Sequence, residues 1–449
     1  MLHNNVKRSV LASTVGAGIE WYDFMLYGAA AALVFPKLFF PHASPVTGIL
    51  LAFSTYFVGF LVRPLGAAIF GHVGDRVGRK KSLLATIVLM GVGTVGIGLV
   101  PSYETIGVLG PVLLVFLRAL QGIGVGGEWG GAILLAMESG SRTGRGFRAS
   151  FPQAAGVLGI SAANVVFLAV GLGMSSETFM SWGWRIPFLT SAVLVAVGLW
   201  IRHQVPETEE FRELEHSGRI SKAPLIQLVR DSPAEIAFTA LLKSAEMIPI
   251  YIFITFILSH GTQALSYDRN ILLLLVSLGA LIAASTMPMI AWYADRVGHG
   301  RVFTAGAAAV ALFVFAYFRI IDSGSPVGAA IVIVLSLVPC AAMIASEPML
   351  IAGSFPPETR YSGASLGFNL AGVIGGGPAP FVATWLVTHF GSMAVAAYIA
   401  AFCAVGIAAV KALSRRAARL TARGEKPAQQ CETAFRVGSG VDHGASGPS

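Results

Sequence analysis

Long apolar runs recur along the chain, with short polar segments between them. Each run can cross the hydrocarbon core of a bilayer as a helix, which takes about 20 residues. The runs at 82–100, 149–171, 271–291 and 361–388 contain no charged residue. We therefore predict an all-α integral membrane protein with twelve transmembrane helices. Numbered spans 1 to 12, the windows are 11–35, 48–70, 82–100, 107–137, 149–171, 184–202, 234–260, 271–291, 302–320, 327–353, 361–388 and 391–410.

A charged connection divides the spans into two sets of six. We assign residues 1–202 to an N-terminal six-helix bundle, 203–233 to a cytoplasmic linker and 234–412 to a C-terminal six-helix bundle. Residues 413–449 start basic and end in Gly and Ser, which is typical of a disordered tail. The linker is either a short amphipathic surface helix or only a solvated connector. Its acidic residues are Glu207, Glu209, Glu210, Glu213 and Glu215.

The composition supports this membrane assignment and excludes other classes. The 449 residues are 55% hydrophobic and 12% charged, with a mean hydropathy of +0.72, whereas soluble proteins are about 25% charged. An outer-membrane barrel would show weak alternating segments instead. The widely spaced Cys340, Cys403 and Cys431 form neither a disulfide framework nor a metal cluster. We predict no metal and no cofactor.

Basic residues concentrate at both ends and in every second connection between spans. By the positive-inside rule, this distribution places both termini in the cytoplasm. It also accounts for the net charge of +8 without nucleic acid as a partner. Glu20 and Asp23 interrupt the first apolar stretch, which excludes a cleavable signal peptide. That stretch is therefore retained as span 1.

Two connecting segments repeat each other. Residues 71–81 follow span 2 and residues 291–301 follow span 8, and both contain Asp-Arg-Val-Gly. Two six-span halves in the same orientation are typical of transporters that bind substrate between their halves, near the middle of the membrane. The chain is therefore predicted to have this parallel-repeat organisation.

Several ionisable residues lie inside the apolar windows. A charge there costs at least about 2.5–3.5 kcal/mol, so it needs a partner, a wet cavity or a function. The repeat relates Asp23 to Lys243, and it places Glu128 beside Glu347. We expect these charges to face one central cavity. The residues concerned are Glu20, Asp23, Arg118, Glu128, Lys243, Glu246 and Glu347.

Several motifs resemble those of the major facilitator superfamily. The loop at 71–81 matches the pattern G-x-x-x-D-R-x-G-R-K, while the second copy has Ala291 for the leading Gly and lacks the basic pair. Together with four further runs, this loop resembles the bacterial metabolite:proton symporter family over about residues 10–412. The further runs are 20–24, 118–131, 182–188 and 360–363.

The resemblance implies a proton-coupled symporter in a bacterial inner membrane, working by alternating access as a monomer. Its cargo would be a small organic acid, shikimate or a similar hydroxylated carboxylate. Import of 2-oxoglutarate, citrate, proline or betaine, passive uniport, and a transport-inactive nutrient sensor stay open as alternatives. The chain contains no H-E-x-x-H or phosphate-binding G-x-x-x-x-G-K motif, so neither an enzyme nor a nucleotide-driven pump is indicated.

The acids of span 1 are the candidate proton carriers. Glu20, Asp23 and Tyr27 share one helical face, which we expect to look into the cavity. A carboxylate whose surroundings change with substrate binding can bind and release a proton. We predict that Asp23, assisted by Glu20 and Glu128, carries the coupling proton.

The candidate substrate site combines cations with hydrogen-bonding groups. Arg118 and Lys243 would attract a carboxylate, and the other side chains would bind hydroxyl groups. Two alternatives are purely structural: a permanent ion pair between Asp23 and Arg118, and a neutralised pair between Lys243 and Glu246. The predicted set is Arg118, Gln121, Tyr27, Lys243, Glu246 and Tyr251.

The repeated loops are the candidate gate. Asp75 lies just beyond span 2, at its cytoplasmic end, where it can accept hydrogen bonds from the N-terminus of a neighbouring helix. The family resemblance implies that Asp75, Arg76 and Arg79 hold the outward-open state, with Asp295 and Arg296 as a weaker counterpart. Alternatively, the basic residues serve only membrane topology.

Overall fold

A computed structural model describes residues 2–77, 79–138, 144–204, 224–263, 265–355 and 359–422. Every regular element within these ranges is helical. The first half contains Leu2–Leu33, Phe35–Phe39, Pro45–Leu61, Arg63–Val77, Arg79–Leu99, Tyr103–Ile106, Leu109–Gly126, Trp129–Glu138, Arg145–Leu172, Ser176–Ser181, Gly183–Arg185 and Ile186–Gln204. The second half contains Pro224–Asp231, Pro233–Tyr251, Ile252–Phe256, Ile257–Gln263, Arg269–Val297, His299–Asp322, Pro326–Leu335, Leu337–Gly353, Arg360–Ala371, Gly372–Gly376, Ala379–Phe390 and Ser392–Ala422.

These helices confirm the predicted all-α fold. Ten described stretches are long and apolar enough to cross a membrane. The two remaining spans are also helical: span 1 is Leu2–Leu33 and span 3 is Arg79–Leu99. Continuous helices satisfy the backbone hydrogen bonds that lipid cannot, so uncharged runs of this length fold in this way. We use "termini face" for the end where span 1 begins and span 12 ends.

Span 7 lies at the centre of the molecule. In its most apolar window 94% of the residues are buried within the protein, compared with 28% in span 6. The span is also irregular: Pro249 lies in its helix, and a π-helical turn, Ile252–Phe256, follows. Proline removes one backbone donor, and π turns are frequent at functional sites. The most enclosed span is therefore also irregular, and it carries Lys243, Glu246 and Tyr251.

Spans 2 and 4 approach each other through glycine. A Cβ atom at Gly122 would overlap the carbonyl oxygen of Gly59, and one at Gly126 would overlap that of Arg63. Small residues let two membrane helices approach this closely. The contact brings Arg63 and Arg118 into the same bundle interior.

The structure changes one predicted boundary. The last helix continues to Ala422, so residues 413–422 are helical and not part of a disordered tail. Arg416 in this extension donates a hydrogen bond of 2.8 Å to Glu235 at the start of span 7, which ties the end of span 12 to the C-terminal bundle. The acidic segment Glu207–Glu215 and residues 423–449 lie outside the described residues.

Candidate functional site

A cluster of one cation and two carboxylates lies in the C-terminal bundle. Lys243 Nζ is 2.5 Å from Glu347 Oε1 and 2.7 Å from Glu246 Oε2. None of the three side chains is more than 1% exposed. Glu246 is one turn from Lys243 on span 7, whereas Glu347 comes from span 10. The predicted pairing of Lys243 with Glu246 is therefore present, but it belongs to a larger cluster.

A side chain of the N-terminal bundle reaches this cluster. Gln153 Nε2 on span 5 donates to Glu347 Oε1 at 2.8 Å and is 3.4 Å from the carbonyl oxygen of Ile344. Phe368 on span 11 places its ring centroid 5.0 Å from Lys243 Nζ. Sequence analysis missed Gln153 because nothing in an apolar helix indicates which neutral amide faces the other bundle.

Arg118 lies in an aromatic cage, not in an ion pair. Its guanidinium carbon is 4.0, 4.2 and 4.8 Å from the ring centroids of Phe24, Tyr27 and Tyr56. Cation–π contacts of this kind are worth about 2 kcal/mol when desolvated. Arg118 also donates a hydrogen bond to Gln121. Among the described residues it forms no ion pair with Asp23, so the structure contradicts the permanent Asp23–Arg118 pair.

Asp23 points into its own bundle. Its side chain is fully buried, with Thr94 of span 3, Ser191 of span 6 and Glu128 as its polar neighbours. Gln121 Nε2 bonds Thr94 Oγ1 at 2.8 Å and the backbone oxygen of Asp23 at 3.3 Å. Gln121 therefore links Arg118 to the polar groups around Asp23.

The predicted common face of span 1 is divided by the structure. Tyr27 donates to Thr55 Oγ1 at 2.7 Å inside the bundle, and Asp23 lines neither of the two cavities described next, whereas Glu20 does. Residues three and seven positions apart cover an arc of about 60° on a helix. That arc is wide enough to turn Glu20 toward the other bundle and Asp23 toward its own.

Two small cavities lie between the bundles, with Trp21 in the wall of both. The Arg63 cavity has about 0 Å³ of free space for a water molecule, and the Lys243 cavity has about 10 Å³. Both are far below the range of about 300–1,000 Å³ that is usual for ligand sites, so the helices are closed around both cavities. The Arg63 cavity is lined by Glu20, Trp21, Phe24, Arg63, Tyr251 and Phe368. The Lys243 cavity is lined by Trp21, Gln153, Val157, Ile160, Lys243, Glu246, Ile250 and Ile344.

Arg63 is a site residue that the sequence analysis did not select. It is 3% exposed, and its guanidinium carbon lies 4.1 and 4.5 Å from the ring centroids of Phe24 and Phe60. The sequence does contain a signal for it, because Arg63 is a charged residue inside the apolar window of span 2. Of the predicted substrate residues, Lys243, Glu246 and Tyr251 line a cavity, while Arg118, Gln121 and Tyr27 form a layer behind it.

At the termini face, Asp295 bridges the two bundles. Its carboxylate accepts hydrogen bonds from the amides of Gly146 and Phe147, at 3.2 and 3.0 Å, and contacts His299 Nε2 at 3.0 Å. Arg296 stacks on Trp292, with its guanidinium carbon 3.5 Å from the ring centroid. The side chains of Asp75, Arg76 and Arg79 lie outside the described part of the structure.

Span 11 makes a second bridge at this face. Asn369 Nδ2 donates to the carbonyl oxygen of Gly126 at 3.0 Å, and Tyr361 Oη donates to that of Gly127 at 3.1 Å. Both carbonyls lie where span 4 breaks between its two helices. The two bundles therefore contact each other through polar groups on the side of the cavities that leads to the termini face, which is predicted to be cytoplasmic.

Comparison with known proteins identifies the class of this fold. A family model described as Major Facilitator Superfamily matches residues 16–360. Among solved structures, a D-xylose-proton symporter superposes with a TM-score of 0.69 at 19% identity, covering 90% of this chain and 96% of the other. The xylose transporter of E. coli, in a partially occluded inward-open conformation, gives the same TM-score at 18% identity, covering 92% and 98%.

Similar sequences are also transporters. The shikimate transporter of Escherichia coli K12 is 39% identical over 90% of this chain and 93% of its own length. An inner membrane metabolite transport protein of the same strain is 36% identical, covering 91% and 94%. A glycine betaine/proline/ectoine/pipecolic acid transporter of Dickeya dadantii is 30% identical, covering 88% and 80%. The chain belongs to the major facilitator superfamily and is a multi-pass membrane transporter, not an enzyme.

Proposed function

We propose that the protein imports a small organic acid together with protons, and that shikimate is its first candidate substrate. The observation that carries this proposal is the position of Lys243, a buried ammonium that lines a cavity between the two bundles. A substrate carboxylate can pair with this ammonium once one of its two partners, Glu246 or Glu347, is displaced or neutralised. The similarity to a shikimate transporter supports the choice of probe.

In this proposal the cavity residues contact the substrate directly. Lys243 and Arg63 bind the carboxylate, Tyr251 donates to a hydroxyl group, and Trp21 packs against the carbon ring. The Tyr251 hydroxyl is buried and has no hydrogen-bond partner among the described residues, so it is available to a ligand. Arg118, Gln121 and Tyr27 support this layer from behind.

Asp23 is the proposed proton carrier of the N-terminal bundle. It is fully buried close to Glu128, and two neighbouring carboxylates cannot both stay ionised cheaply in a low dielectric. Glu20 lines the Arg63 cavity and would pass protons between the cavity and Asp23. The termini face is proposed to be cytoplasmic and the membrane to be the bacterial inner membrane.

A zwitterion is the second candidate substrate. Four aromatic rings, from Trp21, Phe24, Tyr251 and Phe368, line the Arg63 cavity together with Glu20. Aromatic walls beside a carboxylate suit a quaternary ammonium group, and Arg63 in the same cavity suits the carboxylate of a betaine. The similarity to a glycine betaine transporter supports testing this class.

Uptake into proteoliposomes tests both candidates. Labelled shikimate or glycine betaine is supplied with and without an inward proton gradient, to wild type, Asp23→Asn and Arg118→Ala. We expect shikimate to accumulate only with the gradient, and Asp23→Asn to abolish accumulation. Full gradient-driven accumulation by Asp23→Asn would remove Asp23 from the proposal. Betaine uptake without shikimate uptake would favour the second candidate.

A further inference from the structure

The Lys243 cluster contains more negative than positive charge. One ammonium lies within 2.7 Å of two carboxylates, and all three groups are buried. The N-terminal bundle adds Gln153 to this cluster, and its side chain is neutral, so it does not change the net charge. With both carboxylates ionised, the cluster has one net negative charge in the middle of the protein. Such a charge is costly in a low dielectric, so a change at any one partner acts on the protonation of the others.

The two glutamates are held differently. Glu347 Oε1 receives hydrogen bonds from both Lys243 and Gln153. Glu246 has Lys243 as its sole ion-pair or hydrogen-bond partner in the described part of the chain. Glu246 also lines the Lys243 cavity, whereas Glu347 does not. A ligand entering that cavity therefore meets Glu246 first and finds it the more weakly held carboxylate.

Few other ionisable groups surround Glu246. Lys243 is on its own helix, Glu347 and Cys340 face it from span 10, and Tyr251 lies further along span 7. Span 11 contributes an aromatic ring, Phe368, which lies over Lys243. Span 12 packs Gly406 against Ala245 and places the Cys403 thiol close to Cys340. Lys243 is thus the cation for which any entering anion must compete.

We infer that the substrate carboxylate replaces Glu246 as a partner of Lys243, and that the released Glu246 takes up a proton. The ion pair between Lys243 and Glu246 breaks, a new pair forms between Lys243 and the substrate, and a proton from water at the open face bonds to a Glu246 oxygen. Release of the substrate at the other face reverses these steps, and the proton leaves to that water. This inference rests on the proposed function and adds a second proton carrier to it.

The physical reason for this coupling is charge balance: the buried cluster has the same net charge before and after the substrate binds. The empty cluster has one ammonium and two carboxylates; the loaded cluster has one ammonium, the substrate carboxylate, ionised Glu347 and neutral Glu246. Both states have one net negative charge for a monocarboxylate substrate. Binding the anion without the proton would add a further buried charge without a partner, which is strongly unfavourable. Gln153 keeps Glu347 in place, so that Glu246 is the group that changes.

Calorimetric titration of the purified full-length protein in detergent tests this inference. Shikimate is titrated at pH 7 into the protein in two buffers of different ionisation enthalpy, and the difference gives the protons taken up per acid bound. Wild type is compared with Glu246→Gln, Glu246→Asp and Glu347→Gln. Glu235→Gln is the matched control. Glu235 is on the same span, but it lies at the start of that span, where it accepts a hydrogen bond from Arg416.

We expect Glu246→Gln to take up about one proton fewer per acid than wild type, while Glu246→Asp and Glu235→Gln match wild type. Glu246→Asp keeps a carboxyl group at this position, so normal proton uptake by this variant would show that the loss in Glu246→Gln comes from the missing carboxyl group and not from misfolding. Equal proton uptake by wild type and Glu246→Gln, with both binding the acid, would overturn the inference alone. Loss of proton uptake in Glu347→Gln but not in Glu246→Gln would also overturn the inference. If wild type binds neither shikimate, citrate nor 2-oxoglutarate, the proposed function fails together with the inference.

Discussion

The carboxylate of Asp295 on span 8 accepts a hydrogen bond of 3.2 Å from the backbone amide of Gly146 at the start of span 5. The two residues belong to different bundles, and the acceptor lies where the helix N-terminus carries a partial positive charge. A second bond from Phe147 and a contact with His299 complete the bridge. We therefore propose that the repeated loop of the C-terminal half acts as a latch between the bundles.

This latch predicts the effect of Asp295→Asn. The substitution removes the charge that the helix N-terminus favours, at a cost of about 1 kcal/mol to the closed termini face. Opening of the termini face can be detected with a single cysteine introduced by Ala149→Cys, because Ala149 is buried one turn into span 5. The native Cys340, Cys403 and Cys431 are replaced by alanine in this background. We expect maleimide labelling to rise roughly fivefold.

Asp268→Asn is the matched control for Asp295→Asn. Asp268 is on the same span, but it caps the beginning of that span by accepting hydrogen bonds from Asn270 and Ile271 at the opposite face. Labelling at position 149 should stay at its background value in this variant. Equal labelling in the two variants would mean that Asp295 does not act as a latch.

The Lys243 cluster predicts a stability change that a second substitution reverses. Lys243→Met leaves two buried carboxylates without a cation, which destabilises a protein by about 3–5 kcal/mol. Adding Glu347→Gln removes one of these carboxylates and should restore part of the lost stability without restoring uptake. Thermal unfolding of the single and double variants in detergent measures the coupling. Additive effects of the two substitutions would exclude a direct interaction.

The aromatic cage predicts that lysine cannot replace Arg118. Lysine keeps the positive charge, but it loses the planar group that stacks on Phe24 and Tyr27 and donates to Gln121. We expect Arg118→Lys to lower the free energy of unfolding by about 1–2 kcal/mol. Arg319→Lys, outside this bundle, is the control. Wild-type stability in Arg118→Lys would show that charge alone matters at this position.

The close approach of spans 2 and 4 predicts that alanine is not tolerated in the contact. Gly126→Ala places a methyl group on the carbonyl of Arg63, and overpacking of this kind costs about 1–3 kcal/mol. Gly198→Ala is the matched control, since its methyl group would lie 3.4 Å from Ile19 and 3.8 Å from Ile87, which is ordinary contact. Thermal unfolding should separate the two variants clearly.

The twelve helices follow from the sequence because a bilayer permits almost no alternative. Apolar runs of about 20 residues must satisfy their own backbone hydrogen bonds in lipid, so the length and polarity of each run define each span. The loop repeat likewise relates the two halves: it pairs Asp23 with Lys243 and places Glu128 beside Glu347. Buried charge is rare enough in such a chain that every instance indicates a site.

The partners of those charges were decided by the tertiary structure. Helical periodicity places Lys243 near Glu246, but only packing of span 10 against span 7 adds Glu347, and only the contact with span 5 adds Gln153. In the same way, Arg118 contacts aromatic rings instead of Asp23, because the rotation of span 1 turns Phe24 and Tyr27 toward Arg118 and turns Asp23 toward spans 3 and 6. The sequence specifies which residues must be buried, whereas helix rotation and packing determine which of them meet.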